Sequence, residues 1–97
     1  MRELLIEKSR ARSWYELRKP IRERLKDQLK EVAKEPKPTD HSKVILMDGT
    51  RKTIYRLRSG SYRVVFTCES GRLLVWRVGE RRNIYQDINQ TYEQVPA

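Results

Sequence analysis

Three alternating segments in the second half of the chain constrain its fold more than any other feature. Residues 53–58, 62–69 and 72–78 are rich in β-branched and aromatic residues and alternate between apolar and polar side chains. Ser59-Gly60 and Ser70-Gly71 separate them and are typical of two-residue hairpin turns. The pattern therefore predicts an antiparallel meander of three strands.

Two helical segments precede the meander. Ser9 is expected to cap a short helix over residues 10–18. Pro20 suits the first position of a second helix, and Pro36 and Pro38 end it. In this second helix the apolar residues recur at spacings of four, four and three, which places them on one face: Ile21, Leu25, Leu29 and Val32.

Two shorter apolar pieces complete the predicted elements. Residues 2–7 read as a first strand, and residues 44–47 form a short apolar piece before the turn signal at Asp48-Gly49. Together the segments predict a single α+β domain over residues 1–97. Two helices should pack on one face of a small, mainly antiparallel sheet. Residues 89–97 are expected to be a flexible or docking tail.

The predicted hairpin register separates an apolar face from a cationic one. The apolar face should meet the helices; it consists of Tyr55, Leu57, Tyr62, Val64, Phe66, Cys68, Leu73 and Val75. The opposite face carries Arg56, Arg58, Arg63, Val65, Thr67 and Trp76. With a two-residue turn at Ser59-Gly60, Arg56 stands opposite Arg63. Because like charges directly opposite each other destabilise a sheet, a bound anion would explain the pair. A three-residue turn would instead place Leu57 opposite Arg63.

The placement of positive charge also indicates the class of partner. The formal net charge is +9, and residues 51–82 hold nine Lys and Arg residues against only Glu69 and Glu80. Most of the nine are Arg, which makes planar bidentate contacts with phosphate and stacks on bases. A polyanion is therefore the expected partner. An anionic membrane surface is disfavoured, because the basic segment reads as strand and not as amphipathic helix.

Several function classes are disfavoured by composition. No apolar run of about 18 residues is present, and the first seven residues lack the apolar stretch of a secretion signal. Cys68 is the single cysteine, which suits a reducing cytoplasm. His41 is the single histidine, so neither a metal site nor two-histidine acid–base chemistry is expected. We predict a cytoplasmic protein without a cofactor.

Four stretches of the sequence resemble the RelE/ParE toxins. They are Leu17-Arg-Lys-Pro-Ile-Arg-Glu-Arg-Leu25, Ala33-Lys-Glu-Pro36, Tyr55-Arg-Leu-Arg-Ser-Gly-Ser-Tyr-Arg-Val-Val-Phe66 and Val78-Gly-Glu-Arg-Arg-Asn-Ile-Tyr85. The resemblance implies a RelE-like fold and a toxin held inactive by an antitoxin, which we expect to be acidic and partly disordered. In the ribosome-dependent members, messenger RNA is cut in the decoding site without a metal. The 2′-OH attacks the adjacent phosphate, leaving a 2′,3′-cyclic phosphate and a 5′-OH.

The resemblance also implies roles for individual residues. The functional arginines of the family correspond to Arg56, Arg63 and Arg81, and its catalytic tyrosine corresponds to Tyr85. The expected RNA-binding residues are Arg58, Lys52, Arg82 and Trp76.

One departure from the family bears on the chemistry. Arg56 and Arg58 stand where well-studied members carry lysines, and arginine is a poor general base. Tyr85 is then the candidate base. Its ordinary pKa near 10 would have to be lowered by the surrounding arginines. The same arginines would stabilise a phosphorane-like transition state, and Arg81 would polarise the leaving 5′ oxygen.

Two other functions remain open at the level of sequence. A ParE-like toxin of the same fold would inhibit DNA gyrase by binding it, without cutting RNA. A catalytically inactive homologue would use the arginines and Trp76 only to bind nucleic acid.

Overall fold

The computed structural model describes residues 1–47 and 53–80 of the chain. Within these ranges the elements follow in the order β1 (Glu3–Leu5), α1 (Arg12–Tyr15), α2 (Lys19–Lys34), a 3-10 turn η1 (Pro38–Asp40), β2 (Val44–Leu46), β3 (Tyr55–Ser59), β4 (Tyr62–Glu69) and β5 (Arg72–Glu80). The predicted meander is present, and its middle strand has the predicted bounds.

The strands form one mixed five-stranded sheet in the order β1-β5-β4-β3-β2. β1 runs parallel to β5, with Leu4 opposite Leu73, and the other pairings are antiparallel. Two helices over such a sheet confirm the predicted α+β class and are consistent with a RelE-like fold. None of the helices in the described ranges has the length and apolar character to cross a bilayer.

The second helix follows its sequence pattern closely. Leu25, Leu29 and Val32 are fully buried, and Ile21 packs at the margin of the same core. This confirms the predicted apolar stripe. Pro20 lies in the first turn, one residue after the helix begins at Lys19, where a missing N–H costs no helical hydrogen bond.

The first helix differs from its prediction in length and in capping. It is a single turn instead of spanning residues 10–18, and its N-cap is Ala11, which makes no side-chain cap. The prediction that Ser9 caps it is therefore wrong. The reason is local, because the Glu7 carbonyl accepts the backbone N–H groups of Arg10 and Ala11 and closes a separate turn first.

The apolar face of the meander packs against the helices as predicted. Leu57, Val64, Phe66, Leu73 and Val75 are buried in one cluster with the helical stripe. The predicted members Tyr55, Tyr62 and Cys68 are partly buried at its margin. The Tyr55 and Phe66 rings stack with their centroids 5.5 Å apart.

The first hairpin turn is displaced from its predicted position. Gly60-Ser61 form the turn, so Ser59 stands opposite Tyr62. Gly60 has a φ of +58°, which matches the first central position of a type II′ turn, where glycine is preferred. The pairing therefore shifts by two residues. Since side chains alternate with a period of two, every side chain keeps its predicted face.

The second hairpin has the predicted Ser70-Gly71 turn, but its register changes further along. Phe66 stands opposite Val75, whereas Val65 stands opposite Arg77, so Trp76 is an extra residue in β5. The predicted pairings of Val65 with Trp76 and of Arg63 with Val78 are wrong because of this β-bulge.

The half-buried thiol of Cys68 leads to a prediction about alkaline pH. Burial raises the pKa of Cys68, and burial together with Cys68 raises the pKa of Tyr55; nearby Arg2 partly offsets both effects. A raised pKa in the folded state stabilises the fold below the unfolded pKa, and this contribution is lost as the pH rises. We therefore expect the free energy of unfolding to fall above about pH 9.

Urea unfolding between pH 8 and 11 measures this loss. Cys68→Ala removes one of the two groups, so its stability should fall less steeply with pH than that of the wild type. Parallel curves for the two proteins over this range would show that the thiol does not contribute.

Candidate nucleic-acid interface

The sheet face opposite the helices carries the cationic side chains that the sequence placed together. We call it the arginine face, and the described cations on its strands are Arg56, Arg58, Arg63 and Arg77, with Arg72 at the far end of the meander. It also has a small apolar cluster of Ile54, Val65 and Trp76, with Met47 packed against it. The face is therefore basic, as predicted, but a buried apolar patch occupies part of it.

Arg63 is the most buried cation of this face, with 7% of its surface exposed. Its Nη1 donates hydrogen bonds of 2.8 Å to the carbonyls of Gly60 and Tyr62. Its Nε is buried and has no hydrogen-bond partner in the structure. Nη1 of the guanidinium thus stabilises the hairpin turn, whereas the Nε–H group is a buried donor without an acceptor.

Arg58 stands directly opposite Arg63 and is exposed. Its backbone N–H donates to the Lys43 carbonyl, which fixes the strand at this point. In residues 1–47 and 53–80 no carboxylate lies within ion-pair distance of its guanidinium. The like-charged cross-strand pair is therefore Arg58 with Arg63.

Arg56 occupies a different place from the one predicted. It stands opposite Val65 and is half-buried, so the predicted pairing of Arg56 with Arg63 is wrong. The cause is the Gly60-Ser61 turn, which moves each β3 residue two positions along β4. Arg56 lies on the predicted face, two residues further from the turn than Arg58.

Trp76 is a core residue and not the surface aromatic that the sequence pattern indicated. It is 5% exposed, and its Nε1 donates a 2.8 Å hydrogen bond to Thr67 Oγ1. The Arg10 guanidinium lies over the ring, with Cζ 5.0 Å from the ring centroid. The bulge in β5 and the cover supplied by Arg10 account for this burial.

Two arginines near this region were missed at the level of sequence. Arg10 reaches Trp76 from the loop after β1 and also forms a 3.4 Å ion pair with Glu7. Arg24 of α2 reaches the β3–β4 turn, where its Nη2 lies 3.9 Å from the position that a Cβ would take at Gly60. No local sequence signal distinguishes either of them from the other surface arginines.

The single histidine lies in the helical layer, away from the arginine face. His41 Nε2 is 3.1 Å from Glu31 Oε2, and its Nδ1 accepts the Lys43 backbone N–H. Both ring nitrogens are therefore engaged. Among the described residues, no cluster of three His, Cys, Asp or Glu side chains could hold a metal ion.

Four of the predicted site residues lie outside the described ranges. Lys52 falls between β2 and β3, and Arg81, Arg82 and Tyr85 follow β5 in the sequence. The last described residue of β5, Glu80, stands opposite Tyr62, next to Arg63. The roles given to these four residues stay predictions.

Comparison with known families identifies the chain. The family model described as ParE toxin of type II toxin-antitoxin system, parDE, matches residues 4–85. A search of the curated proteins finds no significant match. The matched segment includes both helices, the arginine face and all of the described sheet except Glu3. The chain therefore belongs to the ParE toxin family of type II toxin–antitoxin systems, within the RelE/ParE superfamily, and its partner is a cognate antitoxin.

Proposed function

We propose that this toxin is a metal-independent endoribonuclease that cuts messenger RNA on the ribosome. One observation supports the proposal most strongly: exposed Arg58 stands opposite buried Arg63, close to Glu80, the last described residue of β5. Arg81 follows Glu80 directly in the sequence. The cations that would bind a scissile phosphate are thus close in the fold or in the sequence.

The proposed chemistry uses these cations to stabilise charge. When the 2′-OH attacks the adjacent phosphate, negative charge accumulates on the phosphoryl oxygens, and preorganised donors stabilise it. Arg58 would contact the phosphate from the solvent side. Arg63 would contribute its positive charge from behind Arg58, since its Nη1 is held by the turn carbonyls and its Nε is buried.

Proton transfer is assigned to two residues beyond β5. Tyr85 would accept the proton of the 2′-OH. Arg81 would polarise the leaving 5′ oxygen, which takes a proton from water as the bond to phosphorus breaks and becomes the 5′-OH. No histidine lies on the described arginine face. Glu80 is next to Arg63 in the register, but it stands opposite Tyr62, whose side chain belongs to the helical face. This scarcity of other bases favours Tyr85.

Inhibition of DNA gyrase is the second candidate, and the family match favours it, because the matching model is named for ParE toxins. In that case the arginine face would be a binding surface without a reaction. Its cations would contact an acidic or nucleic-acid-bearing part of the target.

Two purified assays separate the candidates. In the first, the toxin is added to ribosomes programmed with a defined messenger RNA, and RNA ends are mapped. In the second, it is added to gyrase, and DNA supercoiling is followed. We expect new 5′-OH ends in the first assay and unchanged supercoiling in the second. Loss of supercoiling without RNA cleavage would contradict the nuclease proposal.

A matched pair of variants tests the role of Arg58. Arg58→Gln removes the exposed cation opposite Arg63, and Arg72→Gln removes an exposed cation at the far end of the meander, about 20 Å along the strands. Each lowers the net charge equally. Only Arg58→Gln should reduce the log–log salt dependence of RNA binding, by about 0.7 for one phosphate. Equal effects of the two variants would indicate a response to net charge alone.

A further inference from the structure

Most charged residues of α2 fall into two rows of opposite sign along the helix. Basic residues recur every fourth position from the N-cap to the last turn; we call them the α2 stripe, and they are Arg18, Arg22, Lys26, Lys30 and Lys34. Acidic residues recur every fourth position on the neighbouring flank, at Glu23, Asp27, Glu31 and Glu35. Every pair of neighbours within the stripe is therefore like-charged.

The stripe is exposed and lacks partners within the fold. Four of its five residues are exposed, and Arg22 is half-buried. Acidic residues lie three positions before Lys26, Lys30 and Lys34, yet in residues 1–47 and 53–80 no ion pair within 4.0 Å involves the stripe. Like charges four residues apart oppose helix formation. The acidic residues three positions earlier offset part of this repulsion, but none of them forms an ion pair with the stripe.

The geometry of the stripe is regular. Four residues of α-helix rise about 6 Å and advance about 40° around the axis, so the five cations span about 24 Å and wind about 160° around the helix. On the acidic flank, Glu31 Oε2 lies 3.1 Å from Nε2 of His41, the residue that follows η1. The acidic flank, and not the stripe, therefore makes this contact. The stripe belongs to the helical layer, on the other side of the sheet from the arginine face.

We propose that the α2 stripe binds the phosphate backbone of ribosomal RNA, as a docking surface separate from the arginine face. This inference rests on the proposed ribosome-dependent function. A ladder of single charges at even spacing suits a polymer with one phosphate per residue, and electrostatic contacts of this kind position a protein without reading sequence. The adjacent acidic flank would be repelled by RNA and would fix the orientation of the toxin.

An acidic protein segment is the less suitable occupant. Protein–protein interfaces have a core that is depleted in charge and enriched in aromatic and apolar side chains. The exposed large apolar residues in the described part of the chain are Met1, Tyr15, Ile45 and Leu46, none of which lies on α2. The exposed flanks of α2 thus offer charge without an apolar centre.

A charge-swap variant tests the proposal at constant composition. Arg22→Glu with Glu23→Arg and Lys26→Asp with Asp27→Lys leaves the net charge at +9 but interrupts the stripe. Binding to purified ribosomes is measured across a salt series. We expect the affinity to fall at least tenfold at low salt, and the log–log salt slope to shrink by about 1.4–1.8 for two lost phosphate contacts. Affinity for the antitoxin should be unchanged.

A milder pair of variants guards against misfolding of the swap. Lys26→Gln with Lys30→Gln removes two stripe cations, whereas Lys8→Gln with Lys37→Gln removes two exposed cations elsewhere. Only the first should weaken ribosome binding. Equal weakening by both would overturn the proposal in favour of net charge, and selective loss of antitoxin binding would assign the stripe to the protein partner.

The outcomes also separate this inference from the proposed function. If the wild type binds ribosomes and the stripe variants bind them equally well, the proposed docking surface is wrong and the proposed function stands. Absence of any ribosome binding by the wild type would overturn both.

Discussion

Tyr85→Phe should lower single-turnover cleavage of messenger RNA on programmed ribosomes by roughly 10²–10⁴-fold, the usual contribution of a general base. The substitution keeps the ring and removes only the hydroxyl, so ribosome and antitoxin affinities should change little. Arg81→Ala should lose activity by a similar or larger factor, because it removes a donor that stabilises charge in the transition state.

Tyr15→Phe is the matched control for this experiment. The Tyr15 hydroxyl donates a 2.8 Å hydrogen bond to the Ile6 carbonyl, in the segment between β1 and α2. Removing it should leave the cleavage rate at the wild-type value. If Tyr85→Phe also cleaves at the wild-type rate while folded, the hydroxyl takes no part in the reaction and the proposed proton transfer is wrong.

Trp76→Ala should lower the free energy of unfolding by about 3–5 kcal/mol, which is typical for truncating a buried aromatic side chain. The ring is nearly inaccessible, and it packs with Ile54 and Val65 beneath the Arg10 guanidinium. For a domain of this size such a loss is a large share of the total stability. Denaturant unfolding monitored by circular dichroism measures it.

Trp76→Phe separates packing from RNA contact. It retains most of the apolar contact but leaves the buried Thr67 hydroxyl without the indole N–H, at a cost of about 1–3 kcal/mol. Because the folded variant keeps the whole arginine face, its RNA affinity should equal that of the wild type. A weaker RNA complex with unchanged stability would show instead that the ring reaches RNA.

The sequence predicted which face of the sheet each side chain occupies better than it predicted the cross-strand partner of each residue. The assignment of Leu57 and Val64 to the helical side was correct although the turn was misplaced, because a shift by two residues preserves the alternation. The partner of Arg56 was wrong for the same reason. Turn position depends on where glycine is most favourable, and the two Ser-Gly pairs take different places in their turns.

The environments of the individual site residues were beyond sequence reasoning. A β-bulge at Trp76 has no signal in the pattern, and Arg10 covers that ring through a cation–π contact made across the sheet edge. The hydrogen bonds from the Arg63 guanidinium to the carbonyls of Gly60 and Tyr62 depend on the turn being formed by Gly60-Ser61. Side-chain partners of this kind are set by tertiary geometry, whereas strand faces are set by local periodicity.

The parallel pairing of β1 with β5 has a consequence for the order of folding. Glu3–Leu5 pair with Arg72–Leu74, so about 70 residues of chain separate the two strands. Bringing such distant segments together closes a long loop, and the entropic cost of that closure precedes the gain from the contacts. We therefore expect β1 to join the sheet late, after the short turns have brought β3, β4 and β5 together.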